Sequence, residues 1–133
     1  MKRLLQVCVS LVVFIYIALP VYAFDEITVQ VTGSAAMSYS LAPGYKSTVI
    51  DFRLHLGSTP TTSQDFTVRV NAAAGATYDV LLYEKDLSTI DGDIVFVAEE
   101  GGLRLDPADT LDFTYTNTDI VVYGLQMRYK RHQ

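Results

Sequence analysis

Beyond the N-terminal apolar run, the side chains able to do acid–base or metal chemistry are two histidines and a group of carboxylates. His55 alternates with Arg53 and Asp51 on the polar side of a period-2 run. A general acid or base needs a partner and a pocket, and neither is visible around it, so His55 is expected as a surface residue. His132 lies one residue from the C-terminus and is expected to be mobile. The only cysteine, Cys8, falls inside the N-terminal apolar run, which leaves no credible zinc ligand set.

Asp86, Asp91, Asp93, Glu99 and Glu100 are the densest acidic group. Calcium requires six to eight oxygen ligands from clustered loop carboxylates, but Ile94 and Val95 stand where further oxygens would be wanted. A tight hairpin turn accounts for Asp91-Gly92-Asp93, since glycine accepts the positive φ such turns demand. Asp106-Pro107-Ala108-Asp109 reads as a turn in the same way. There is no Gly-x-Ser-x-Gly elbow and no glycine-rich phosphate loop. No catalytic, metal or cofactor-binding residue is assigned, no cofactor is expected, and the chain is read as a non-enzyme.

The tail Arg128-Tyr129-Lys130-Arg131-His132 is basic and could meet an anionic partner, although a solvated chain end is the simpler expectation. Seven tyrosines follow residue 23: Tyr39, Tyr45, Tyr78, Tyr83, Tyr115, Tyr123 and Tyr129. Tyrosine suits recognition surfaces, and it suits β-sheets on propensity alone; sheet packing is the expectation for most of them.

These residues must be carried by strands. Ile27, Val29 and Val31 alternate with Thr28, Gln30 and Thr32, and Ile50, Phe52, Leu54 and Leu56 with Asp51, Arg53 and His55. Phe66, Val68 and Val70 alternate with Thr67, Arg69 and Asn71, and Leu111, Phe113 and Tyr115 with Asp112, Thr114 and Thr116. One apolar and one polar face is what a half-buried antiparallel strand presents. Residues 78–83, 94–98 and 120–129 are more continuously apolar and are expected as central strands, or strands covered on both faces. Asp-Phe occurs three times, at Asp51, Asp65 and Asp112, and reads as a strand-entry pattern. No segment reads as a convincing helix, and Ala72-Ala73-Ala74 is expected as a loop.

Eight or nine strands separated by turn residues predict an all-β, two-sheet antiparallel β-sandwich. A jelly-roll-like arrangement is the first choice. An immunoglobulin-like one is the second, without that fold's Cys and Trp hallmarks.

The N-terminus reads as a signal peptide of residues 1–23, its apolar run forming a signal helix. Lys2 and Arg3 precede an uncharged stretch from Leu4 to Leu19, Pro20 ends it, and Val21-Tyr22-Ala23 suits a signal peptidase. An uncleaved membrane anchor is the alternative, because about 20 apolar residues span a bilayer core. Residues 24–133 then form a single domain. It carries eight Lys and Arg against 15 Asp and Glu, a formal charge of −7 once Lys2 and Arg3 are removed. Such a charge disfavours nucleic acid. With no cysteine after residue 23, disulfides cannot staple it.

Residues 61–68 (TTSQDFTV), Tyr78-Asp79-Val80-Leu81-Leu82-Tyr83 with Asp86-Leu87-Ser88, and residues 111–119 followed by Tyr123-Gly124-Leu125 form a recurring pattern. Over about residues 48–129 the chain resembles small, uncharacterised β-sandwich proteins common in tailed-phage and environmental virus sequences. The resemblance implies a virion accessory or surface component and brings no functional residues with it. The expected function is a secreted, periplasmic or cell-surface structural or interaction module. Its partner would be another protein or a second copy, met through a sheet face or edge, with the membrane touched only in passing through the signal segment. The alternative is a carbohydrate-binding sandwich, helped or not by calcium.

Overall fold

The computed structural model describes residues 25–132, so the signal helix and the cleavage point expected within residues 1–23 lie outside the described residues. The strands are β1 (Glu26–Gly33), β2 (Met37–Leu41), β3 (Ser47–Leu56), β4 (Asp65–Asn71), β5 (Val80–Asp86), β6 (Asp93–Val97), β7 (Leu103–Leu105), β8 (Thr110–Tyr115) and β9 (Tyr123–Arg131). One 3-10 turn, Ala76–Tyr78, interrupts them. All strand pairs are antiparallel and fall into two sheets. The first sheet runs β1-β9-β3-β6, with β7 also on β3, and the second runs β2-β8-β4-β5.

The three Asp-Phe pairs show how alternation builds the core. Phe52 from the first sheet and Phe66 and Phe113 from the second are fully buried. Their ring centroids lie 5.5 to 6.4 Å apart across the middle of the sandwich. The preceding aspartates therefore point to the opposite sheet faces, as period 2 requires. Only Asp65-Phe66 opens a strand; the other two pairs lie inside β3 and β8, so the strand-entry reading is corrected. Deleting one of these rings would cost about 3–5 kcal/mol in lost transfer energy and cavity.

A bulge at Ile50 refines the pattern in β3. Val49 faces Tyr129 while Asp51 already faces Arg128, so β3 carries one extra residue there. The inserted residue shifts the phase: Ser47 and Val49 point inward before it, Phe52, Leu54 and Leu56 after it, and Ile50 is only half-buried. The shift leaves Asp51 on the outer face, where it is 1% exposed beneath Arg128. Arg128 Nε donates to both Asp51 oxygens at 2.9 and 3.0 Å, and its Nη2 adds a third contact. Those hydrogen bonds hold the Asp51 carboxyl below its ordinary range and raise the Arg128 guanidinium in turn.

The continuously apolar runs behave differently from expectation. Residues 78–83 and 94–98 supply β5 and β6, which are edge strands. The third run does form a central strand, β9 between β1 and β3, but it begins at Tyr123. Two strands, β2 and β7, lie outside both the alternating and the continuously apolar runs.

Candidate functional site

The two ends of the sandwich carry the polar chemistry, and they differ. The first end gathers residues 34–36, 57–64, 87–92 and 116–122. Asn117 sits in the left-handed region at φ +53 and is 3% exposed. Its Nδ2 donates to the carbonyls of Ser34, Ala35 and Val121, and its Oδ1 accepts from the Val121 N–H at 2.9 Å. Asp119 accepts from the backbone N–H groups of Thr61 and Thr62 at 2.6 and 2.7 Å and from both threonine hydroxyls. Those donors, the Thr62 hydroxyl first, pull its carboxyl down to about 2. Gln64 bonds Thr118 through both ends of its amide. Asp86 accepts from Ser63 Oγ, Gln64 N–H and Ser88 N–H and is likewise held at about 2.

This lacing holds Ile120 at φ +56, a conformation that a β-branched side chain adopts only under constraint. Its backbone N–H donates to Asn117 O at 3.1 Å, and its side chain is 70% exposed.

The second end gathers residues 42–46, 72–79 and 98–109 with both termini of the described chain. Here the last strand is pinned rather than loose. Arg131 N–H donates to Asp25 O and His132 N–H to Lys46 O, while His132 Nε2 lies 2.7 Å from Thr48 Oγ1. The mobile His132 is therefore corrected, because β-pairing to β1 and β3 holds the tail as far as Arg131. The side chains of Lys130 and Arg131 are exposed, as a solvated tail requires. Arg131 packs its guanidinium 4.3 Å over the Tyr45 ring. Burial first, then the neighbouring Tyr45 hydroxyl, pushes Tyr129 up to about 12.

Register places Thr48 between Lys130 on one side and Arg104 on the other, so β9, β3 and β7 present a basic row on the outer face. Two clefts flank His132. One, of about 360 Å³, runs between β3 and the 98–102 excursion, reaching Lys130 and Glu99. Gly102 is required in its wall, because a Cβ there would collide with Thr48 Cγ2 and its φ is +67. The other, of about 290 Å³, is lined by Lys46, Ser47, Arg104, Leu105, Asp106 and His132.

The residues weighed for chemistry are dispersed. His55 is exposed and bonds Asp93 Oδ1 through Nδ1 at 2.5 Å, a partner linear order did not indicate. Asp86 braces a loop. Among the described residues no group of three or more His, Cys, Asp or Glu is placed to hold a metal ion. Asp109 bridges the Ala73 and Asp106 N–H groups and so closes its turn. Of the seven tyrosines Tyr78 alone is an exposed large side chain. Lys46, Ser47 and Arg104 were not singled out by sequence, because only strand register unites them.

No family model matches the chain, and no curated protein matches it. Among solved structures it is similar to a chain of tomato aspermy virus determined by X-ray crystallography, with 12% identity and a TM-score of 0.35 over 83% of this chain and 79% of that one.

Proposed function

We propose that this chain is a non-enzymatic docking module, secreted or surface-exposed, whose partner is another protein or a second copy of itself. The carrying observation is where its exposed apolar side chains lie. The outward positions of the central strands are polar: Arg53, His55, Gln126 and Arg128 on one sheet, Thr67, Arg69, Asp112 and Thr114 on the other. Among the described residues the exposed large apolar side chains are Tyr78, Val80, Leu81, Val95 and Val97, on or beside β5 and β6, and Ile120 and Val122, in the loop before β9; the first five are the larger group. These edge strands meet through the Tyr83 and Phe96 rings, 6.4 Å apart, and form one flank. An edge strand with open backbone groups and apolar side chains is a template for pairing.

We read the sandwich as a jelly roll. Its pairs β1·β9, β2·β8, β3·β6 with β3·β7, and β4·β5 are those of one long hairpin rolled upon itself. That fold hosts many functions, so the functional reading rests on the flank and not on the topology. The signal-like residues 1–23 support export.

Sedimentation velocity and chemical cross-linking of the full chain, compared with Val95→Lys/Val97→Lys, test the proposal. Self-association or partner capture that disappears in the variant, with its melting temperature unchanged, is the expected result. A chain that stays monomeric and captures nothing that the variant fails to capture would refute it.

A further inference from the structure

We propose that the cleft beside β7 is a binding site for a phosphate-type oxyanion carried on a small organic body. Three independent observations converge there. The first is charge: Lys46 and Arg104 come from separate elements to one cleft and form no ion pair among the described residues. This happens in a chain of net charge −5. The register explains the convergence, because Ser47 stands opposite Leu105, which brings Lys46 and Arg104 to the same strand end. The second is Ser47 itself, 2% exposed, whose hydroxyl has no hydrogen-bond partner among the described residues. A buried hydroxyl left without a partner costs about 1–3 kcal/mol. Ser47 lines the cleft from the inner side of β3, and a rotation of its side chain toward the opening would let an acceptor oxygen there relieve that cost.

The third is size. At about 290 Å³ the cleft lies near the lower bound of small-molecule sites. It has room for an oxyanion and a short attached group, for which Leu105 supplies an apolar wall. The Arg104 fork suits two phosphate oxygens at once and the Lys46 ammonium acts as a point charge, a division of labour common in phosphate recognition. Thr48 keeps His132 against the wall. Asp106 is the one carboxylate in the lining and works against an anion.

The same chemistry could be offered by a soluble phosphoester or by a lipid headgroup. Asp25 O accepts the Arg131 N–H, so the first described residue lies at this end of the fold.

The probe is glycerol 3-phosphate, titrated into the ¹⁵N-labelled full chain at constant ionic strength set with sodium chloride. Saturable amide shifts at Lys46, Ser47, Arg104 and Leu105 are expected, and Lys46→Gln/Arg104→Gln should weaken binding about tenfold or more, the loss of charge-assisted contacts. Asp106→Asn should tighten binding, and Lys85→Gln, on β5, should leave it unchanged. Co-sedimentation with phosphatidylglycerol vesicles, against phosphatidylcholine vesicles, identifies the source. If only the vesicle binding depends on Lys46 and Arg104, a lipid headgroup is the ligand; if only the soluble titration does, it is a free phosphoester. Shifts that chloride reproduces, together with vesicle binding equal in wild type and double variant, would overturn the site. The flank proposal is read by sedimentation and cross-linking and stands or falls separately.

Discussion

The two ends of this sandwich are both polar, yet one ties the carboxylates of Asp86 and Asp119 to donors of neighbouring loops, and the other gathers Lys46 and Arg104, which form no ion pair among the described residues. At the Asn117 end, side-chain acceptors meet backbone donors of neighbouring loops, and the carboxylates of Asp86 and Asp119 are taken up by such donors. At the Lys46 end cations converge on a cleft, and each end holds one buried hydroxyl without a partner among the described residues, Tyr115 at the close of β8 and Ser47 at the start of β3. Polar groups satisfied within the fold stabilise it, whereas groups left open are available to a ligand. Substitutions at the two ends should therefore move different observables.

The largest effect is expected at Asn117. Asn117→Ala would strip partners from buried backbone groups, the Val121 N–H among them, and would place alanine at a positive φ. Together these should cost about 3–4 kcal/mol, measured by urea denaturation. Asn117→Gly keeps the backbone conformation and loses the bonds, so it should recover about 1 kcal/mol of that loss. Lys46→Gln/Arg104→Gln at the opposite end should stay within about 0.5 kcal/mol of wild type. Equal losses at both ends would erase the distinction.

Acid sharpens it next. Asp86 and Asp119 have carboxyls held at about 2 in the folded chain, below the ordinary value of 3.8. A depressed folded pKa gives stability that is complete above the unfolded value and is lost as pH falls through the folded one. The melting temperature should accordingly fall between about pH 4 and pH 2. Thr62→Val, which removes a hydroxyl donor to Asp119, should shift the Asp119 titration upward in a ¹³C carboxyl NMR series. A titration unmoved by this change would show that the threonine hydroxyl does not set the carboxylate.

Much of the fold was legible because alternation is a direct record of burial. β1, β3, β4 and β8 follow it, since one-residue slips would turn their apolar sets to water. Continuous apolarity was less informative. It is compatible with burial on both faces, but also with an edge strand whose outward side chains serve something else, and β5 and β6 are edges. β7 has three residues, too few to show a period. The candidate cleft was illegible for another reason. Lys46 and Arg104 meet through the pairing of β3 with β7, and no local spacing encodes the register of strands so distant in sequence. The Asn117-Thr118-Asp119 segment was visible as turn chemistry, but its long-range partners were not.

The smallest expected effect explains why β9 starts late. Residues 120–122 have strand composition, yet Ile120 is held left-handed and Tyr123 opens the strand. Ile120→Gly removes the clash between the side chain and its own backbone, worth about 1–2 kcal/mol. It also lengthens the list of unfolded conformations, which offsets up to about 1 kcal/mol. Little burial is lost, because the isoleucine is 70% exposed. The net should be a gain of up to about 1 kcal/mol in urea denaturation. It should shrink in the Asn117→Ala background, where only the Asp119 and Gln64 bonds still hold the turn. A gain of the same size in both backgrounds would mean that Asn117 does not impose the strained conformation, and that the lacing of this end is a consequence of the turn and not its cause.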